Sequence, residues 1–186
     1  IWTGTATQYK VNLLRKFFEQ YKQDPSDLVF FLDDSKGIGS DEEIERYKIR
    51  RKYWESVLPS LQEATGTFLN ISPSKNNSIM GATARSGVYL CCVANYDSAR
   101  VEIFIDQGDY QKNRAIYKRL EQNRDAIEAA YGKSLNWVCQ DDVRACKVYD
   151  EIKEVSIKNE EDWPVMSAFH IQRAKALLVA TKQFLA

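Results

Sequence analysis

The stretch from Gly87 to Asp106 constrains the fold more than any other part of the chain. Gly87 to Ala94 is apolar at nearly every position, the pattern of a strand covered on both faces. Asn95-Tyr96-Asp97-Ser98 then supplies turn residues, and Ala99 to Asp106 alternates. Val101, Ile103 and Ile105 share one side, with Arg100, Glu102, Phe104 and Asp106 on the other. Two strands joined by so short a turn pair antiparallel, because a parallel return needs a crossover of a dozen residues or more. A hairpin therefore lies at the centre, and other elements must cover its apolar side.

The flanking segments read mainly as helices. Ser40-Asp41-Glu42-Glu43 has the form of a capping box and opens a helix from about 41 to 64. Ile44, Tyr47, Trp54, Val57, Leu58 and Leu61 form its apolar stripe, and Pro59 is expected to kink or shorten it. Asp109 is suited to cap a single helix from about 110 to 131, with Asn113, Ile116, Leu120, Ile127 and Tyr131 inward and Gly132 as the stop. A last helix runs from Pro164 to Leu185 and buries Met166, Phe169, Leu177 and Phe184; its His170 reads as a surface or boundary residue.

A second hairpin, Leu135 to Gln140 with Val143 to Ile152, turns at Asp141-Asp142. That turn sets Trp137 opposite Cys146 and Cys139 opposite Arg144. Thr67 to Ile71 is expected as a further strand and 73–78 as a polar loop. The resulting class is α+β, a mostly antiparallel sheet of four to six strands packed with three to four helices. Residues 1–40 hold an amphipathic helical pattern over 7–22, a short apolar run from Leu28 to Leu32 and a polar linker. They read as an N-terminal helical extension or linker ahead of an α+β domain at 41–186.

Composition narrows the function classes. The chain has 186 residues, 44% of them hydrophobic, with 26 basic and 26 acidic side chains in balance. That excludes a disordered chain and argues against a general polyanion binder. No apolar run approaches the roughly 18 residues that span a bilayer. Cys91 and Cys92 are neighbours on a strand and point to opposite faces, whereas Cys139 and Cys146 flank the second hairpin. No Cys-x-x-Cys occurs and there is one histidine, so zinc has little support. The reading is four buried free thiols and a reducing, cytoplasmic setting. The start at Ile1-Trp2, without methionine, fits a piece of a longer parent chain, whose other domains would then be candidate partners.

The most pointed side-chain group is Arg100, Glu102, Asp106, Asp109 and Asn113. Two acids approaching a helix start could hold magnesium for a divergent metal-dependent nuclease or phosphodiesterase, with Glu102 and Asp106 as the catalytic pair. The Glu-x-Lys signature of restriction-type nucleases falls on a strand only at Glu151-Ile152-Lys153, beside Asp150, where surface charge explains it better. The structural account pairs Glu102 with Arg144 or Arg124, makes Asp109 a cap and lets Asn113 tie a loop. No nucleophile elbow, P-loop or dinucleotide fingerprint occurs. Basic stretches at Arg46 to Lys52 and Lys112 to Arg119 are interleaved with glutamates, so i,i+4 pairing absorbs much of their charge. Arg50 and Lys118 are the cations to probe for DNA or RNA phosphate contact.

From about Tyr53 onward the chain resembles a bacterial domain family of unknown function, whose members often stand C-terminal in restriction- or nuclease-associated proteins. The matching residues are Tyr53-Trp54, the strand Arg100 to Asp106, Asn113 with Ile116-Tyr117 and Leu120, Ile127-Glu128, Gly132, Leu135 and Trp137. The resemblance implies a role in restriction or phage defence, as an accessory or recognition module, and carries over no catalytic residue and no cofactor. The leading expectation is a non-catalytic binding or regulatory module that recognises nucleic acid or a partner domain through Arg50, Arg100, Glu102, Asn113 and Lys118. The rivals are the metal-dependent enzyme and an oligomerisation domain that forms a homodimer.

Overall fold

The computed structural model describes residues 41–185, and the side chains from Glu45. The features read at 1–40, including Ser40 of the capping box, lie outside the described residues. The described chain is an α+β fold of four helices and one five-stranded antiparallel sheet. Its elements are α1 (Asp41–Thr65), β1 (Ser78–Ala82), β2 (Val88–Ala94), β3 (Ser98–Ile105), α2 (Tyr110–Glu121), α3 (Arg124–Tyr131), β4 (Asn136–Val138), β5 (Cys146–Lys153) and α4 (Trp163–Leu185). A single 3₁₀ turn, Glu160–Asp162, leads into α4. The strand order is β1-β2-β3-β5-β4, so β5 returns to lie between β3 and the edge strand β4.

All the helices bury their apolar sides on one face of this sheet. The core joins Tyr53, Trp54 and Leu61 of α1, Leu120 and Ile127 of α2 and α3, and Met166 and Leu177 of α4 to Leu90, Val101, Ile103 and Val148 of the strands. His170 belongs to this core and is 0% exposed, not at the surface or boundary. The Tyr53 hydroxyl lies 2.7 Å from its Nδ1 and the Val93 carbonyl 3.1 Å from its Nε2. A carbonyl only accepts, so Nε2 carries the proton and donates, while Nδ1 accepts from the hydroxyl. The ring thus ties α1, α4 and β2 together with both nitrogens satisfied. Asp150, which read as part of a surface charge group, is 2% exposed. It accepts from the Tyr131 hydroxyl at 2.6 Å, and Lys133 Nζ stands 2.7 Å away.

Several expectations change. Of the two effects expected of Pro59, shortening does not occur, because α1 runs to Thr65. Pro59 and Glu55 both lie on the exposed side, so water can satisfy the carbonyl that loses its partner, while Val57, Leu58 and Leu61 keep the other side buried. Thr67 to Ile71 is a turn, not a strand: Gly66 and Phe68 have φ of 66° and 63°, and the Ile71 amide donates to the Phe68 carbonyl. The extra strand is β1, missed in the sequence. A Cβ at its Gly81 would come 2.7 Å from Thr67 Oγ1, so the glycine is what lets this turn lie across the strand.

The single helix expected at 110–131 is two, α2 and α3. At the break the Asn123 amide bonds the Leu120 carbonyl, three residues back, and its side chain takes the Arg119 carbonyl. A side chain competing for a helix carbonyl in this way interrupts the regular ladder. The second hairpin pairs Trp137 with Val148 and Val138 with Lys147, two residues out of the expected register. A slip of two keeps every side chain on its expected face. It also sets Cys139 against Cys146, and these form a disulfide, contrary to the reading of four free thiols; Cys91 and Cys92 are free and buried. Among the described residues no helix is long and apolar enough to cross a membrane.

Candidate nucleic-acid interface

The polar side of β3 belongs to the sheet's second face, the one opposite the helices. Register fixes its neighbours. Arg100, Glu102 and Phe104 face Val93, Cys91 and Tyr89 of β2 and Glu151, Tyr149 and Lys147 of β5. Cys91 and Val93 are buried, yet they stand outside the helix-side core. Among the described residues no helix packs its core side on this face.

Two cations and one ring form the centre of the surface. The Arg100 guanidinium lies 5.0 Å from the Tyr149 ring centroid and Lys147 Nζ 5.5 Å from it. Arg100 Nε is also 3.0 Å from Glu102 Oε2, so Glu102 pairs along its own strand instead of with Arg144 or Arg124. The reason is local: residues i and i+2 of a strand project side by side. Arg144 instead holds Asp106 at 2.6 Å, and Arg124 holds Glu128 at 3.2 Å. Tyr89, Phe104 and Tyr149 are half-buried, as are Arg100 and Lys147.

The expected site residues are only partly brought together. Arg100 and Glu102 meet. Asp106 sits beyond the other end of β3, four residues from Glu102, a separation of about 13 Å along an extended strand, where one ion cannot bind both carboxylates. The Arg144 hydrogen bond, with help from the Gly108 amide, holds the Asp106 carboxyl below its ordinary value. Asn113 is 0% exposed. Its carbonyl oxygen accepts from the Gln107 amide at 2.8 Å and its amide donates to the Arg144 carbonyl at 3.1 Å, so it positions the β3–α2 loop. Asp109 caps α2 as expected, accepting from the Lys112 amide.

Arg50 and Lys118 are on the helix layer. Arg50 donates to the Lys75 carbonyl at 3.5 Å and stands 5.7 Å from the Tyr96 ring; Lys118 is exposed in the last turn of α2. Among the described residues no group of three or more His, Cys, Asp or Glu side chains could hold a metal ion. Lys147, Tyr149 and Tyr89 had no place among the expected residues. The alternation of Lys147, Tyr149 and Glu151 was visible, but the pairing of β3 with β5 was not.

Fold and surface together define a class: a two-layer α+β domain with helices on one sheet face and a mixed aromatic and charged surface on the other. Over residues 49–185 the chain matches the family model described as Domain of unknown function (DUF4268), and it belongs to that family. Neither a curated protein nor a solved structure matches the chain.

Proposed function

We propose that this domain is a non-catalytic binding module whose second sheet face takes single-stranded nucleic acid by stacking. The observation that carries the reading is the Tyr149 ring with Arg100 and Lys147 both within 5.5 Å, on strands adjoining Phe104 and Tyr89. A base stacked on an aromatic ring contributes about 1–3 kcal/mol and is accepted largely regardless of sequence. The charge balance of the chain fits stacking better than polyanion capture. Two phosphate-contacting cations would give a salt slope of about −1.4 for a single strand.

The non-catalytic part of the reading rests on the acids. A magnesium ion at Asp106 would have to displace Arg144, and one at Glu102 would have to displace Arg100. Following the resemblance, the reading takes the parent protein as bacterial and related to restriction or phage defence, with this domain as an accessory or recognition module. A partner domain of the parent chain is the second reading. It is favoured by the 45%-exposed Met80 on the same face.

Fluorescence anisotropy with single-stranded DNA and RNA across a salt series tests the proposal. Tyr149→Ala is expected to weaken binding about 5- to 150-fold. Arg50→Ala and Lys118→Ala, on the helix layer, are expected to leave it unchanged. Undetectable binding at low salt removes the nucleic-acid reading, and loss in the Arg50 or Lys118 variant alone moves the interface to the helices.

A further inference from the structure

The Cys139–Cys146 disulfide closes the connection between β4 and β5, its Cα atoms 4.5 Å apart. Cys146 is 1% exposed, whereas Cys139 is half-buried and opens onto an exposed run at 140–144. One cation lies against both sulfurs. Arg114 of α2 places Nη1 2.8 Å from Cys139 Sγ and 2.9 Å from Cys146 Sγ.

The guanidinium does not depend on the sulfurs for its position. Its Nη2 donates to the Tyr110 hydroxyl at 2.6 Å, to the Val143 carbonyl at 3.3 Å and to the Gln140 carbonyl. It also lies 3.9 Å from the Tyr110 ring centroid, and the Tyr110 hydroxyl donates to the Asp141 carbonyl. Arg114 is therefore held beside the sulfurs in either redox state. A neutral S–S bond gains little from a positive neighbour, whereas a thiolate gains a great deal. The arrangement suits the reduced pair and the transition to it.

We propose that Cys139 and Cys146 form a redox-active pair that exchanges with small thiols of the glutathione class, with Arg114 as the positioning residue that stabilises the departing thiolate. An external thiolate attacks Cys139 Sγ. The Sγ–Sγ bond breaks, and its electron pair leaves on Cys146 Sγ beside Arg114. A second external thiolate then attacks the external sulfur of the mixed disulfide and expels the Cys139 thiolate. Two small thiols are thereby oxidised to their disulfide, and the protein pair gains the two electrons. Oxidation runs the same steps in reverse.

The test uses the full chain in reduced and oxidised glutathione mixtures, quenched in acid, alkylated and read by intact and peptide mass. Two cysteines, mapped to 139 and 146, are expected to switch together, while the buried Cys91 and Cys92 stay reduced throughout. Arg114→Met is expected to slow reduction on the order of tenfold, with Arg114→Lys recovering most of the rate. A pair that stays oxidised in excess reduced glutathione until the protein unfolds overturns the proposal, as does an unchanged rate in a folded Arg114→Met protein. Should that variant fail to fold, the pH dependence of alkylation of the reduced wild-type pair decides. A thiolate forming below the ordinary value of about 8.5 supports the role of Arg114, and one at or above it refutes that role.

Discussion

Acidification should destabilise this protein through one residue. His170 is the only histidine in the chain and is fully buried, against the rings of Trp54, Phe169 and Tyr53. Its hydrogen bonds to Tyr53 and Val93 suit the neutral ring, and burial pulls its pKa down from 6.5 to about 4. The unfolded chain takes up the proton near 6.5, the folded chain only near 4. Between those values the unfolded state binds more protons, so stability is full above 6.5 and falls as pH drops towards 4. From pH 7.5 to pH 5 the loss works out at about 2 kcal/mol. Urea unfolding at pH 7.5, 6.5, 5.5 and 5.0, followed by tryptophan fluorescence and circular dichroism, measures it. Asp106 and Glu128, whose carboxyls are held below their ordinary values of 3.8 and 4.5, lose stability mainly as pH falls below those values, beneath the lowest pH measured. His170→Gln should be less stable at pH 7.5 but level across the window. A wild-type change under about 0.5 kcal/mol, or the same slope in His170→Gln, would refute the reasoning.

Three further substitutions probe the elements that shape the domain. Gly132→Ala should cost about 1–2 kcal/mol by thermal melting: the residue ends α3 at a φ of 91° and no atom would meet its Cβ, so the penalty is purely backbone. Asp109→Ala removes the cap of α2 and should cost about 1 kcal/mol in the same melts. Glu128→Ala strips the acceptor used by the Leu135 amide at 2.9 Å and the Trp137 indole at 2.8 Å. A loss of about 2–3 kcal/mol is expected, with a red shift in Trp137 emission as the β4 edge loosens.

What could be read from the residues was what neighbours in sequence determine. The β2–β3 hairpin followed from an apolar run, four turn residues and an alternating run, all within twenty positions. The inward stripe of α2 and α3 held from Asn113 to Tyr131 because a break of one turn leaves the helical period nearly intact. Their separation at Asn123 stayed hidden, since every residue there suits a helix until its side chain finds the Arg119 carbonyl. Arg100 and Glu102 were placed together correctly because a strand sets i and i+2 side by side.

Pairing between distant segments decided the rest. Ser78 to Ala82 has little strand character of its own and becomes one because β2 offers it an edge. The β4–β5 register could shift by two residues without moving any side chain to another face, so alternation alone could not have matched Cys139 with Cys146. His170 has the same helical spacing whether it meets water or Tyr53, and only the packing of α4 on α1 and β2 makes it a buried, neutral ring. Lys147 and Tyr149 join Arg100 because β5 inserts beside β3. Local periodicity records an antiparallel α+β domain and the side chains that share each strand face, so these were legible in the residues alone. Tertiary structure decided which strands adjoin and which charges meet, because those depend on contacts between residues far apart in the chain.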